Sequence, residues 1–507
     1  MNSINKSLNV KRLINLASQT FLGCKTHGHG CSCHQRLHPT IDGNPKTHNL
    51  IRSITDSTPS HPRFSTSIDL NPSPSTEYAF EVSASQLRFG EGVTREVGLD
   101  FKNMKATKVG VFTDPTLAKL LPTKTAIESL ESSQITYEVY QDCKIEPSLE
   151  SWQNAINFAR SRNFSHFLAV GGGSVIDTCK VANLFSCYPD SPLLDFVNAP
   201  IGKGLPITKT LKPLIAVPTT AGTGSETTGT AIFDYTQLQA KTGIANRALR
   251  PTLGIVDPLN TESCPRAVHV NSGLDVLFHS LESYTAIPYY ERSPRPSNPL
   301  ERPAYQGRNP ISDVFSLWAL KTTVEFLPRV ARDPFDKEAR SQMLLASTFA
   351  GIGFGNAGVH LCHGFSYPIS GLNKRLAKYS ASGYEVDGPL VPHGLSVALT
   401  GPSVFQFTAD SSPERHLEAA NIFGVASGHS KIDRISNSDV GSLIHDRIAE
   451  FLVNLGLPRG LKGIGYQEKD LDELVIGTLP QKRVLDLAPG NSDKETLKKI
   501  LRKSLSF

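Results

Sequence analysis

The sequence holds no apolar run approaching the roughly 18 residues that cross a bilayer as a helix. A helical membrane span is therefore not expected. Its N-terminus also lacks the apolar stretch and small-residue cleavage site of a secretory signal. Acidic residues are missing altogether from residues 1–41, where Lys6, Lys11, Arg12, Lys25 and Arg36 sit among Ser and Asn and the segment 9–22 reads as amphipathic. That combination predicts a mitochondrial transit peptide rather than an ordinary basic tail. Beyond the leader there is no surplus of charge: its five cations account for the whole formal charge of +5. No basic footprint remains to predict a nucleic-acid partner. The cysteines outside the leader, Cys143, Cys179, Cys187, Cys264 and Cys362, are scattered, which excludes a disulfide framework and fits a reducing compartment. Within the leader, HGHGCSCHQRLH at 27–38 packs Cys and His together, but its spacing matches no zinc module. Residues 42–76 are dominated by Pro, Ser, Thr and Asn and read as linker, with the folded body starting near Glu77.

The remaining length suffices for two globular domains, at roughly 100 to 200 residues each. From Ala106, short apolar runs alternate with helical patterns: KVGVFTD, a helix over 116–132, TYEVY, a helix over 148–162, then HFLAVGGGS and PLIAVPTT. This alternation predicts an α/β domain over 77–265 with a mostly parallel sheet, binding its ligand at the carboxyl ends of the strands. The usual G-x-G-x-x-G fingerprint is absent. In its place Gly171, Gly172 and Gly173 follow a strand, and Ser174 opens a helix running through Asp177 and Lys180. Glycines admit a diphosphate close to the backbone, and free N–H groups at a helix start favour anions; a merely tight turn is the alternative. The loop VPTTAGTGSE, 217–226, offers many donors for a phosphate, ribose or carboxamide. Asp114 ends KVGVFTD, where its carboxylate can accept from both ribose hydroxyls of NAD or simply start a turn.

After Pro265 the strand pattern gives way to helical ones, predicting an all-helical domain over 266–507. Its opening segment, NSGLDVLFHSLESY at 271–284, places Asp275 and His279 on one face of a strongly apolar helix. A buried carboxylate beside a buried imidazole is costly unless the two pair or a divalent cation compensates. His360, His363 and His393 lie downstream. Two of them added to Asp275 and His279 make an N3O set suited to Fe(II) or Zn(II).

The ordered motifs GGGSVID, PTTAGTGSE, GLDVLFHSLESY, HGFSYPISG and VPHG resemble those of the group III iron-containing alcohol dehydrogenases over about 77–507. The resemblance implies an N-terminal dinucleotide-binding domain, a helical C-terminal domain and a metal in the cleft between them. It implies metal ligation by Asp275, His279, His363 and His393, with His363 preferred over His360, and NAD contacts from Asp114, Gly171, Gly172, Gly173, Ser174, Asp177, Thr219, Thr220 and Ser225. Many family members carry a second histidine where this chain has Tyr367, so Tyr367 or solvent is expected to stand in for that proton relay. Two insertions, YYERSPRPSNPLERPAYQGRNP and LNKRLAKYSASGYEVDG, further resemble those members that oxidise 4-hydroxybutyrate while reducing 2-oxoglutarate to 2-hydroxyglutarate on a retained NAD. The other implied activity is that of an alcohol dehydrogenase whose NAD exchanges. Small anionic hydroxyacid and oxoacid substrates require cations near the metal. Arg292, Arg295, Arg302, Arg308, Lys374, Arg375 and Lys378 of the insertions are the candidates, and a homo-oligomer is expected.

Overall fold

In the computed structural model the described residues are 75–507 apart from 236–239, 385 and 387. The predicted leader at 1–41, its His/Cys tract and nearly all of the predicted linker at 42–76 lie outside them.

Strands of four to six residues set the first half. In chain order these are β1 (Gln86–Phe89), β2 (Val109–Phe112), β3 (Tyr137–Tyr140), β4 (His166–Gly171), β5 (Leu214–Pro218), β6 (Thr230–Tyr235), β7 (Ala240–Ala245) and β8 (Leu253–Val256). Among them β2, β4, β5 and β8 are buried throughout. Six strands form one sheet in the order β1-β8-β5-β4-β2-β3, with every pairing parallel. Strand periodicity divides its side chains between two cores. Phe112, Phe167 and Ala169 enter one, while Val109, Val111, Leu168 and Val170 enter the other. Helices α1 (Val97–Asn103), α2 (Leu121–Ser132), α3 (Leu149–Arg162) and α4 (Gly173–Cys187) cover the two faces. A reciprocal cap starts α3, Ser148 Oγ accepting from Ser151 N and Ser151 Oγ from Ser148 N. β6 and β7 stand apart as an antiparallel hairpin, which the alternating pattern did not foretell.

The second half contains α5 (Arg266–Thr285), α6 (Pro310–Arg332), α7 (Lys337–Ala357), α8 (Leu361–Gly371), α9 (His393–Ala398), α10 (Gly401–Thr408), α11 (Pro413–Ala426), α12 (Asn437–Asn454), α13 (Leu471–Thr478), α14 (Lys482–Leu485) and α15 (Lys494–Lys503). Every residue of α5 from Gly273 to Thr285 is buried. Leu274, Leu277, Phe278 and Leu281 of α5 pack with Leu320, Val324, Leu327, Leu395 and Phe405 in the largest core cluster. Each such side chain contributes about 1.5 to 3 kcal/mol by leaving water, so α5 is an axle about which the other helices are set.

Candidate metal centre and dinucleotide cleft

On α5, Asp275, His279 and Glu282 follow at intervals of four and three and share one buried face. His363 comes from the first turn of α8, and His393 opens α9 directly after Pro392. Their Nε2 atoms converge on one oxygen: Asp275 Oδ1 lies 3.5 Å from His279, 3.4 Å from His363 and 3.6 Å from His393. Two atoms at this focus, Asp275 Oδ1 and His363 Nε2, are buried and have no hydrogen-bond partner among the described residues. Ligand atoms of Asp275, His279 and His363 all lie within 4.8 Å of one another. Unsatisfied buried lone pairs aimed at one point are what a cation resolves, and the N3O ligand set fits a divalent transition metal.

For Asp275, His279 and His393 the electrostatics agree with a ligand role. Burial would raise the Asp275 carboxyl, yet His279, His393 and His363 hold it far below the usual carboxylate range. Burial pushes His279 down to about 3 and His393 to about 4, so both present neutral imidazoles. His363 is carried up to about 9 against burial by Glu282 and Asp275.

Glu282 was not singled out from the sequence, although its spacing from His279 was the available signal. Its Oε2 accepts from His363 Nδ1 and its Oε1 accepts at 2.6 Å from the Cys362 N–H. This fixes the ring so that Nε2 faces the focus. His360 faces away from the focus. Its Nδ1 lies 3.2 Å from Glu282 Oε1 and its Nε2 3.0 Å from Thr285 Oγ1.

A cavity of about 390 Å³ runs from this cluster across the sheet, lined by Asp114, Gly172, Gly173, Ser174, Thr219 and Thr220 and reaching Asp275 and His393. It lies at the topological switch point, since β2 neighbours β3 on one side and β4 on the other. The carboxyl end of β2 delivers Asp114; that of β4 delivers the glycine turn. Helix α4 begins at Gly173 with no side-chain cap, leaving its first N–H groups to the cleft. A Cβ on Gly171 would stand 2.6 Å from the Val175 side chain and one on Gly173 2.5 Å from that of Thr223. In the hydroxyl loop Gly224 has φ +55°, and a Cβ there would meet the Gly351 backbone at 2.7 Å. Asp114 Oδ1 accepts from Thr116 N at 2.9 Å and Leu117 N at 2.8 Å, so one oxygen is used in the turn. Asp177 and Ser225 bond each other, with Lys180 Nζ donating to Ser225 Oγ at 2.6 Å. They brace α4 against the hydroxyl loop.

Tyr367 is one turn after His363 on α8, and its hydroxyl accepts at 3.1 Å from Nη2 of Arg483, a residue sequence reasoning missed. Burial raises its phenol above the ordinary value. None of the seven insertion cations lines the cavity around the ligand cluster. Arg302 instead pairs with Glu77 at 3.0 Å, Arg375 pairs with Glu473, and Arg295 lies over Tyr78.

A switch-point cleft running into a buried Asp/His cluster defines the class as a metal- and dinucleotide-dependent oxidoreductase. Residues 84–258 match the model of the iron-containing alcohol dehydrogenases, and residues 304–505 match the C-terminal model of the same family. The chain belongs to the iron-containing alcohol dehydrogenase family. It is 54% identical over 460 residues to the mitochondrial hydroxyacid-oxoacid transhydrogenase of Bos taurus, covering 90% of this chain and 97% of that protein. The protein of that name from Homo sapiens is 54% identical over 85% of this chain and 91% of its own length. The one from Caenorhabditis briggsae is 48% identical over 85% and 91%. Among solved structures, an archaeal halo-thermophilic alcohol dehydrogenase from a Red Sea brine pool superposes with a TM-score of 0.72 at 24% identity, over 85% of this chain and 99% of that one. A sulfoacetaldehyde reductase from Bifidobacterium kashiwanohense in complex with NAD+ gives 0.65 at 24%, over 85% and 100%. At that identity the two share the fold.

Proposed function

We propose that this chain is a mitochondrial hydroxyacid-oxoacid transhydrogenase, which oxidises 4-hydroxybutyrate to succinate semialdehyde and returns the hydride to 2-oxoglutarate, forming 2-hydroxyglutarate of the D form. One observation carries the reading: Asp275 and His393 line both the long cleft and the small cavity beside it, so a substrate oxygen and a dinucleotide meet at one wall. When bound, Fe(II) or Zn(II) supplies Lewis-acid polarisation of that oxygen and NAD supplies the hydride carrier. Asp275, His279, His363 and His393 hold the ion, and Glu282 orients His363. Gly171, Gly172, Gly173 and Ser174 receive the diphosphate, and Asp114 takes the ribose with its second oxygen. Thr219 and Thr220 face the same cofactor, while Asp177 and Ser225 keep the loop in place. Tyr367 or solvent takes the place of the family's proton relay. The reading assigns 77–265 to dinucleotide binding and 266–507 to metal binding, removes 1–41 on import, and extends to a homo-oligomer.

The test is activity of gel-filtered protein given 4-hydroxybutyrate and 2-oxoglutarate with no added NAD, alongside elemental analysis. Sustained formation of both products is expected. Retention requires a Kd below about 0.1 μM, for turnover of about 10 per second and association near 10⁶ M⁻¹s⁻¹. Strict dependence on added NAD would instead assign an alcohol dehydrogenase with exchanging cofactor.

A further inference from the structure

The cavity holding the ligand cluster has a volume of about 130 Å³, and the cations on its wall are Lys241 and Arg483. Lys241 is already engaged by the Glu146 carboxylate. Arg483 has no acidic partner among the described residues, and its Nη1 is buried with no hydrogen bond. Two paths of contacts tie Arg483 to the metal ligands. Along α8, His363 and Tyr367 share a face, and the Tyr367 hydroxyl receives Nη2 at 3.1 Å. Along the opposite wall, His279 stacks on Phe354 at 3.7 Å, Phe354 meets Tyr305 edge-on at 6.3 Å, and the Arg483 guanidinium lies 4.7 Å above the Tyr305 ring. A guanidinium over an aromatic ring, with Nη2 on a phenol and Nη1 unpaired, keeps a donor ready for a carboxylate. Leaving that donor buried and unpaired is unfavourable unless an anion arrives.

We propose that Arg483 anchors the substrate carboxylate remote from the reacting carbon, so that this chain selects short acids over neutral alcohols of the same length. The inference rests on the hydride-shuttle reading above and deepens it. The ligand cluster grips the oxygen to be oxidised or reduced, and Arg483 sets how far away the second charged end lies.

The test uses the metal- and NAD-loaded protein and Arg483→Met and Arg483→Lys variants. Glutarate, an unreactive five-carbon diacid, is titrated calorimetrically, and kcat/KM is measured for 4-hydroxybutyrate and 1-butanol. Arg483→Met is expected to weaken glutarate binding roughly ten- to a hundredfold and to lower the preference for acid over alcohol by a similar factor, through KM more than kcat. Arg483→Lys keeps a charge without the fork and falls between, which also serves if the Met variant fails to fold. Unchanged glutarate affinity in either folded variant overturns the proposal, as does an equal loss on acid and alcohol. Wild-type protein that binds glutarate through Arg483 but does not oxidise 4-hydroxybutyrate would overturn the hydride-shuttle reading and leave the anion subsite standing.

Discussion

Glu282 shows how much of the centre depends on a residue that does not face the focus. It accepts from His363 Nδ1, takes the Cys362 N–H at 2.6 Å and lies 3.2 Å from His360 Nδ1. A glutamine there keeps the size but turns one acceptor into a donor facing donors, so His363 loses its fixed tautomer and ring angle. Glu282→Gln is therefore expected to lower metal affinity ten- to a hundredfold, about the usual penalty for losing such a support. Competition against a chromophoric chelator measures it, and wild-type retention would rule out the orienting role. Asp275 and His279 were legible because a charged pair four apart is conspicuous in an apolar helix. Glu282 sits one turn further on the same face and was passed over because a lone acidic residue near a helix end is common on solvated surfaces. Arg483 gave no local signal: its partners Tyr305 and Tyr367 are more than a hundred positions away, and only the packing of α14 brings them together.

The position of α9 depends on one close approach between elements. A Cβ on Gly394 would stand 1.8 Å from the Asn271 carbonyl oxygen of α5, so only glycine lets the start of α9 lie against the axle. His393 is the preceding residue, and that contact brings its Nε2 to 3.6 Å from Asp275. In Gly394→Ala the backbone must move, at about 1 to 3 kcal/mol, and the fourth ligand moves with it. The variant is expected to melt at lower temperature and to hold less metal than wild type after dialysis, approaching His393→Ala. Full metal content would show that α9 does not need this contact. Elements of this kind differ in how openly the sequence declares them. β2, β3, β4 and β5 stood out as apolar runs between amphipathic helices, and α5 as a buried helix. β1 and β8 did not, because β1 is four largely exposed residues and β8 a four-residue run, each defined by pairing with the other across more than 160 positions. The hairpin β6–β7 escaped notice for the same reason: antiparallel pairing is a contact, not a composition.

At the scale of the whole molecule the two halves are joined by buried polar groups, and two buried histidines make the body sensitive to acid. Thr348 on α7 donates to Glu226 Oε1 of the hydroxyl loop at 2.7 Å. Arg250 reaches Thr227 O at 3.2 Å and Gly355 O at 3.1 Å. Near this seam His269 is 3% exposed, packed by Arg340 of α7 and the Thr261 backbone; burial pushes it down from 6.5 to about 4. His416 on α11 is fully buried between Thr408, Ser412, His360, Arg415 and Asp410, and burial takes it from 6.5 to about 4 as well. Both folded values lie below the unfolded one, so the unfolded chain takes up these protons first. Stability is therefore complete above pH 6.5 and is lost as pH falls from there toward 4. A gap of about 2.5 units at ~1.36 kcal/mol per unit makes the loss about 3 kcal/mol for each histidine. Melting at a fixed scan rate at pH 7.5 and pH 5 is expected to show a large drop for wild type. The drop should shrink in His269→Asn and His416→Gln, whose side chains do not titrate, and shrink further in the double variant. The sites lie on different elements, so their effects should add. A drop equal in wild type and double variant would place the acid sensitivity elsewhere and remove both histidines from the account.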